Sequence, residues 1–93
     1  MYKMYESILR NAFSKDVKLS KRRGLDISLL EDVMDKLING QKLEEKYRDH
    51  LLTGDYAGMR ECHIKPDWLL VYYYSDEFVV FARTGTHSDL FDK

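Results

Sequence analysis

Cysteine and proline are nearly absent from this sequence, each occurring once in 93 residues. A lone cysteine excludes an intrachain disulfide and a four-cysteine zinc module. Glycine is sparse as well, at five positions, which excludes collagen-like and low-complexity chains. No apolar run is longer than residues 68–74, WLLVYYY, far short of the ~20 residues a membrane helix needs. The opening MYKMYESILR carries Lys3, Glu6 and Arg10 and lacks the apolar block of a secretory signal. No phosphate-cradling P-loop and no dinucleotide glycine pattern is present. These absences predict a small soluble protein, cytoplasmic and without membrane contact.

What remains suffices for one domain over residues 1–93. Hydrophobic residues make up 44% of the chain and aromatic residues 13%, too many for a disordered chain. A domain this small hides only ~60–65% of its unfolded surface, so a thin core is expected.

The net charge of −1 is unevenly distributed. Residues 1–24 carry +5, whereas residues 25–60 and 61–93 carry −3 each. The positive excess is concentrated in Lys15, Lys18, Lys21, Arg22 and Arg23. Such a run reads either as a solvated helix face or as a surface for a polyanion.

Tyr2, Met4 and Glu6 alternate with Lys3, Tyr5 and Ser7, predicting a short strand through Leu9. From Asn11, a candidate cap, Phe13, Val17 and Leu19-Ser20 recur at helical spacing as far as Gly24. A second helix starts at Asp26 or at Ser28, which forms a capping box with Glu31. Its apolar stripe is Ile27, Leu30, Val33, Met34, Leu37 and Ile38, and Asn39-Gly40 closes it. Residues 41–56 are polar and aperiodic and read as a loop. Residues 59–64, 68–74 and 77–82 then alternate with period two, joined by turns too short for anything but antiparallel neighbours. Thr86 is placed to cap one helical turn after them. The expected fold is α+β, in the order β-α-α-β-β-β: a two-helix hairpin against one face of a largely antiparallel, four-stranded sheet.

All three histidines fall at element ends: His50 in the long loop, His63 late in a strand, His87 just past the last strand. A single histidine is most often structural, but strand ends converge on one rim, which Asp67, Trp68 and Arg83 share. Spacings of 13 and 24 residues match no local zinc pattern, so neither metal nor cofactor is expected. Cys62 adjoins His63, and adjacent strand residues face opposite ways, so a Cys–His pair is excluded and Cys62 is expected to be buried and inert. RNA cleavage fits the inventory: a base for the ribose 2′-OH, an acid for the leaving oxygen, cations for the phosphate and aromatic rings for the bases.

The segments FSKDVKLSKRRG (13–24), YRDHLLTGDYAGMRECHIKPDWLLVYY (47–73) and RTGTHSDLF (83–91) closely resemble the YafQ branch of the RelE/ParE toxin superfamily. DH-x-L-x-G, R-x-x-H-x-x-PDW and RTGTHS-x-LF occur together, in order and at matching intervals, over nearly the whole chain. The resemblance implies a RelE-like microbial RNase fold and an mRNA endonuclease that cuts A-rich codons in the ribosomal A site. It places functional residues at His50, His63, Asp67, Trp68, His87 and Phe91, with Arg83 before the last motif. Within that set, His87 is expected as general acid, and Asp67 or His50 as base. His63 and Arg83 would brace the phosphate, and Trp68 and Phe91 would stack bases. Trp68 suits core packing as well, and Asp67 suits a turn. The resemblance further implies an antitoxin with a ribbon-helix-helix half, through which alone the pair meets operator DNA. An acidic antitoxin segment would find charge partners in Lys15, Lys18 and Lys21. The alternatives are a gyrase-inhibiting toxin of the ParE branch and a non-catalytic binding module.

Overall fold

The computed structural model describes residues 3–91, so Tyr2 lies outside the described residues. Strand β1 (Glu6–Leu9) leads into helices α1 (Asn11–Arg22) and α2 (Ile27–Ile38). Strands β2 (His50–Leu51), β3 (Arg60–Lys65), β4 (Trp68–Ser75) and β5 (Phe78–Gly85) follow, and helix α3 (His87–Phe91) ends the order. Single 3₁₀ turns at Glu45–Tyr47 and Gly54–Tyr56 flank β2.

The helices form where apolar residues repeat, and of the two starts expected for the second, Asp26 is the one observed. Asp26 is the N-cap of α2, its carboxylate accepting from the Ser28 backbone N–H at 3.1 Å and from the Ser28 hydroxyl at 2.6 Å. Ser28 therefore lies inside the helix, and the expected Ser28/Glu31 box does not form. Arg10 rather than Asn11 occupies the cap position of α1, with no side-chain bond. Lys21 and Arg22 in its last turn suit the negative end of the helix dipole. Leu30, Val33 and Leu37 are the buried side of α2, as the stripe predicts.

The sheet has five strands rather than four and is mixed, in the order β1-β5-β4-β3-β2. Strands β3, β4 and β5 are antiparallel neighbours, as their short turns require. Strand β1 pairs in parallel with β5, Glu6 opposite Phe78 and Leu9 opposite Phe81. The expected loop contributes β2, whose His50 and Leu51 pair with Glu61 and Arg60. Its backbone groups pair with the first two residues of β3, a gain that composition does not reveal.

Period two divides the side chains between two faces. One face takes Cys62, Trp68, Leu70, Tyr72, Val79 and Phe81, and Phe13 of α1 and Leu30, Val33 and Leu37 of α2 close over it. Cys62 is fully buried there, and burial pushes its thiol pKa far up, as befits an inert side chain. The opposite face carries Leu69, Val71 and Ala82, all nearly fully buried, with Leu90 of α3 over them and Leu52, Met59 and Phe91 packed alongside.

Gly40 ends α2 with φ at +71°, and a Cβ there would collide with the backbone carbonyl of Lys3. Gly40→Ala should therefore cost at least about 1–2 kcal/mol and lower the melting temperature by about 4–16 °C, read by thermal circular dichroism.

Candidate active site

This second face owes its chemistry to strand alternation. Cys62 points under the helices, so Glu61 and His63 project from the other side of β3, opposite Val71 and Leu69 of β4. Strand β2 sets His50 directly across from Glu61. The register shifts between His63 and Lys65, and β5 carries an extra residue near Ala82. Such irregularities bend a strand and re-aim its side chains. After the second one, β5 delivers His87 at the start of α3.

The three imidazoles form a row, with ring centres 6.5 Å apart for His50 and His63 and 5.8 Å for His63 and His87. Each holds an oxygen acceptor at Nδ1. His50 has the Arg48 carbonyl at 2.7 Å, His63 the Pro66 carbonyl at 3.3 Å, and His87 the Asp67 carboxylate at 2.6 Å. A carbonyl or carboxylate can only accept, so Nδ1 carries the hydrogen and donates it in all three rings. Each Nε2 is left to take or give a proton. Glu61, only 6% exposed, sits between two of them, its carboxylate 3.4 Å from His63 Nε2 and 3.6 Å from His50 Nε2.

Asp67 does more than turn the chain between β3 and β4. One of its oxygens accepts both the backbone N–H of His87, at 2.9 Å, and its Nδ1–H. The backbone bond first, and the ring bond next, lower the Asp67 pKa from its ordinary value. A carboxylate so engaged is a poor proton acceptor and a good orienting group. Helix α3 is fixed from its other side as well. Thr86 and Asp89 exchange bonds as a reciprocal cap, each 3.0 Å, and Arg23, the residue that caps the end of α1, pairs with Asp89 at 2.6 Å.

Other expected site residues lie elsewhere. Trp68 is 3% exposed and packs in the main core, its Nε1–H donating to the Thr84 hydroxyl at 3.0 Å. Its place in the core offers no ring face to a base, which corrects the expectation of stacking. Arg83 is engaged with Asp16 through bonds of 2.7 and 3.1 Å, which raise its pKa and tie one edge of its guanidinium to α1. Phe91 is half-buried and meets the edge of Tyr56 at 5.1 Å between ring centres. Lys15, Lys18 and Lys21 are exposed on α1, whereas Arg23 is tied to Asp89.

Glu61 was not anticipated from sequence, although its position two residues before His63 marks it as sharing that face. Asp49 was not anticipated either. It accepts from the Tyr72 hydroxyl and from Arg60 at 3.1 Å, anchoring the segment that presents His50. Burial, then the bond to Asp49, raises the Tyr72 pKa, so the phenol stays a donor. Glu61, His63 and His87 each bring one donor atom within 4.8 Å of the others. A carboxylate with two imidazoles suits a borderline transition-metal ion. Strand pairing creates this convergence, which linear spacing does not show.

Comparison with known proteins follows the same lines. The family model described as the bacterial toxin of type II toxin–antitoxin system, YafQ, matches residues 5–92. The mRNA interferase toxin YafQ of Escherichia coli K12 is 45% identical over 80 residues, covering 85% of this chain and 87% of that protein. The YafQ chain in the crystal structure of the E. coli DinJ–YafQ toxin–antitoxin complex superposes with a TM-score of 0.88 at 40% identity, covering 95% of this chain and 98% of that one. A metal-bound toxin from Helicobacter pylori superposes with a TM-score of 0.89 at 40% identity, covering 95% and 100%.

The fastening of α3 has a pH signature. Arg23 above all, then the Thr86 backbone N–H, lowers the Asp89 pKa from 3.8 to about 2. A depressed carboxylate adds stability that is complete above its unfolded pKa and is lost as pH falls through its folded one. The contribution should fade between about pH 4 and pH 2, and with Arg23 partly exposed it is worth about 1 kcal/mol. Asp89→Asn should lower the melting temperature at pH 7 by several degrees and flatten this acid limb, checked by thermal melts from pH 2 to pH 7.

Proposed function

The chain belongs to the YafQ family of bacterial toxins of type II toxin–antitoxin systems, and on that premise we propose that it is an mRNA endonuclease acting on A-rich codons in the ribosomal A site. The observation that carries this reading is the row of three imidazoles whose Nδ1 atoms are all tethered to oxygen, leaving three Nε2 atoms for proton transfer. His50 Nε2 removes the proton from a ribose 2′-OH, and the oxygen attacks the adjacent phosphorus. His87 Nε2–H gives its proton to the departing 5′ oxygen as the P–O bond breaks. The products are a 2′,3′-cyclic phosphate and a 5′-hydroxyl end. His63, between the two and backed by Glu61, supports the phosphate when protonated. Asp67 holds the His87 ring and its tautomer.

Toeprinting on programmed ribosomes tests the reading: a cut within the A-site codon is expected. No cut, with DNA gyrase inhibited instead, would overturn it. His87→Ala should slow cleavage by about 10²–10⁴-fold, and a loss below tenfold with unchanged binding would remove His87 from the mechanism. Because the acid and the base are imidazoles, a chelator should leave the rate unchanged. Added copper(II) or zinc should lower it by occupying His63 and His87, and chelation should restore it.

We also propose a cognate antitoxin of ribbon-helix-helix type that brings the pair to operator DNA. An acidic, partly disordered segment of it would be drawn to Lys15, Lys18 and Lys21 by charge. Reversing those three charges should weaken the complex at least tenfold and flatten its salt dependence, measured by calorimetry at two ionic strengths. Unchanged affinity and slope would place the segment elsewhere.

A further inference from the structure

Strand β2 pairs only with Arg60 and Glu61, so the edge of β3 beyond them is left without a strand neighbour. Against that edge lies a cleft of about 450 Å³, between the start of α2, the turn Glu45–Tyr47 and the β3–β4 turn. This volume is within the ~300–1,000 Å³ of typical ligand pockets. Its walls are partly apolar, from Leu29, Tyr47, Ile64 and Pro66, and His63 opens it towards the imidazole row. Lys46, Arg48 and Lys65 line it against a single acid, Asp32. Among the described residues, no ion pair engages these three cations.

We propose that this cleft is the subsite for a nucleotide flanking the scissile phosphate, an inference that rests on the RNase reading above. The chemistry is complementary on both counts. A flat base fits between the apolar walls, and the unpaired cations meet the backbone phosphate on either side of it. The route to the catalytic row is short. Arg48 has a left-handed backbone, φ 50°, and its carbonyl holds His50 Nδ1. One residue thus lines the cleft and sets the base, while His63 belongs to both cleft and row. This second basic surface is separate from the lysines of α1, so RNA contact does not depend on them. Asp32 adds selectivity, since a carboxylate accepts from the exocyclic amine of adenine or cytosine and finds no such donor on uracil.

The test uses the full-length toxin and an A-rich RNA oligonucleotide with 2′-O-methyl riboses, which it cannot cleave. Lys46→Glu with Lys65→Glu should raise Kd at least tenfold, with thermal melting unchanged. The slope of log K against log salt should become shallower by about 0.7 for each lost phosphate contact. Amide shifts on titration should include Tyr47, Arg48 and Lys65. On programmed ribosomes the double variant should need more toxin for half-maximal cleavage, with the saturating rate changed less than threefold. Asp32→Asn should reduce discrimination of adenine against uracil. If the double variant binds within twofold with an unchanged slope, or shifts stay confined to the histidine row, the subsite is wrong, while A-site cutting by the wild type leaves the RNase reading standing. If the wild type makes no A-site cut, the RNase reading fails and the flanking-nucleotide subsite with it, and the oligonucleotide titration then shows only whether the cleft binds RNA. A glutamate-rich peptide that perturbs the cleft when the oligonucleotide does not would also overturn the proposal.

Discussion

The bond between Asp67 and His87 is the contact on which the site depends. It joins the turn between β3 and β4 to the first residue of α3, across 20 positions of sequence, and one carboxylate oxygen serves both the backbone and the ring. A helix of five residues is far below the ~12–15 that stand alone in water. Its shape must therefore come from outside. Arg23 reaches it from the end of α1, Thr86 and Asp89 close its first turn, and the Tyr56 hydroxyl donates to the Leu90 carbonyl at its end. Apart from the local Thr86–Asp89 cap, the fastenings come from other elements, so His87 is set largely by the fold around it. The general-acid role proposed for His87 needs placement of this kind, because small displacements of reacting groups are costly.

Charge at the site follows a different logic from charge along the chain. A net −1 is a poor advertisement for an RNA-binding protein, and the nearly buried Glu61 would seem to worsen matters by repelling phosphate. Its two imidazole neighbours change that account. His63 stands against Glu61, its Nε2 3.4 Å from the carboxylate, so the acid faces an imidazole and not open solvent. Meanwhile Asp16, Asp49 and Asp89 are each paired with an arginine within the fold. The exposed lysines of α1 and the three cations of the cleft have no such partners among the described residues, so local fields differ from the overall sum.

Much of this was legible in the sequence, and the gaps have physical causes. Period two separated Cys62 from His63, and the helical stripe marked Leu30, Val33 and Leu37. Thr86 reads as a cap because its hydroxyl and Asp89 satisfy each other at that spacing. Strand β1 was recognisable as a strand, yet its parallel partner β5 begins 72 residues later, and nothing local encodes so distant a pairing. Strand β2 is two residues long, too short for any periodicity. Trp68 begins a strand whose apolar run has no polar side, so sequence alone could not tell which face its ring would take. Glu61 is the instructive omission. A lone glutamate in a strand looks like solvent-facing punctuation until β2 folds back and sets His50 beside it.

The division of the sheet into two faces also constrains how such an enzyme can be silenced. Helices α1 and α2 cover the face that holds Cys62 and Tyr72, whereas Glu61 and His63 stand on the other. Lys15, Lys18 and Lys21 are exposed on α1, on the helical side of the molecule. A segment bound to those lysines alone therefore leaves the imidazole row open. If the proposed ribosomal activity holds, inhibition from there works through bulk that denies entry to the ribosome, or through a continuation of the segment around the sheet edge. The edge by β3 is where the cleft of Lys46, Arg48 and Lys65 lies, beside His63. An acidic chain long enough to pass from α1 to that cleft would contest the same cations as RNA. An inhibitor confined to α1 would instead leave the free toxin able to bind a short oligonucleotide, and that difference separates steric exclusion from direct competition.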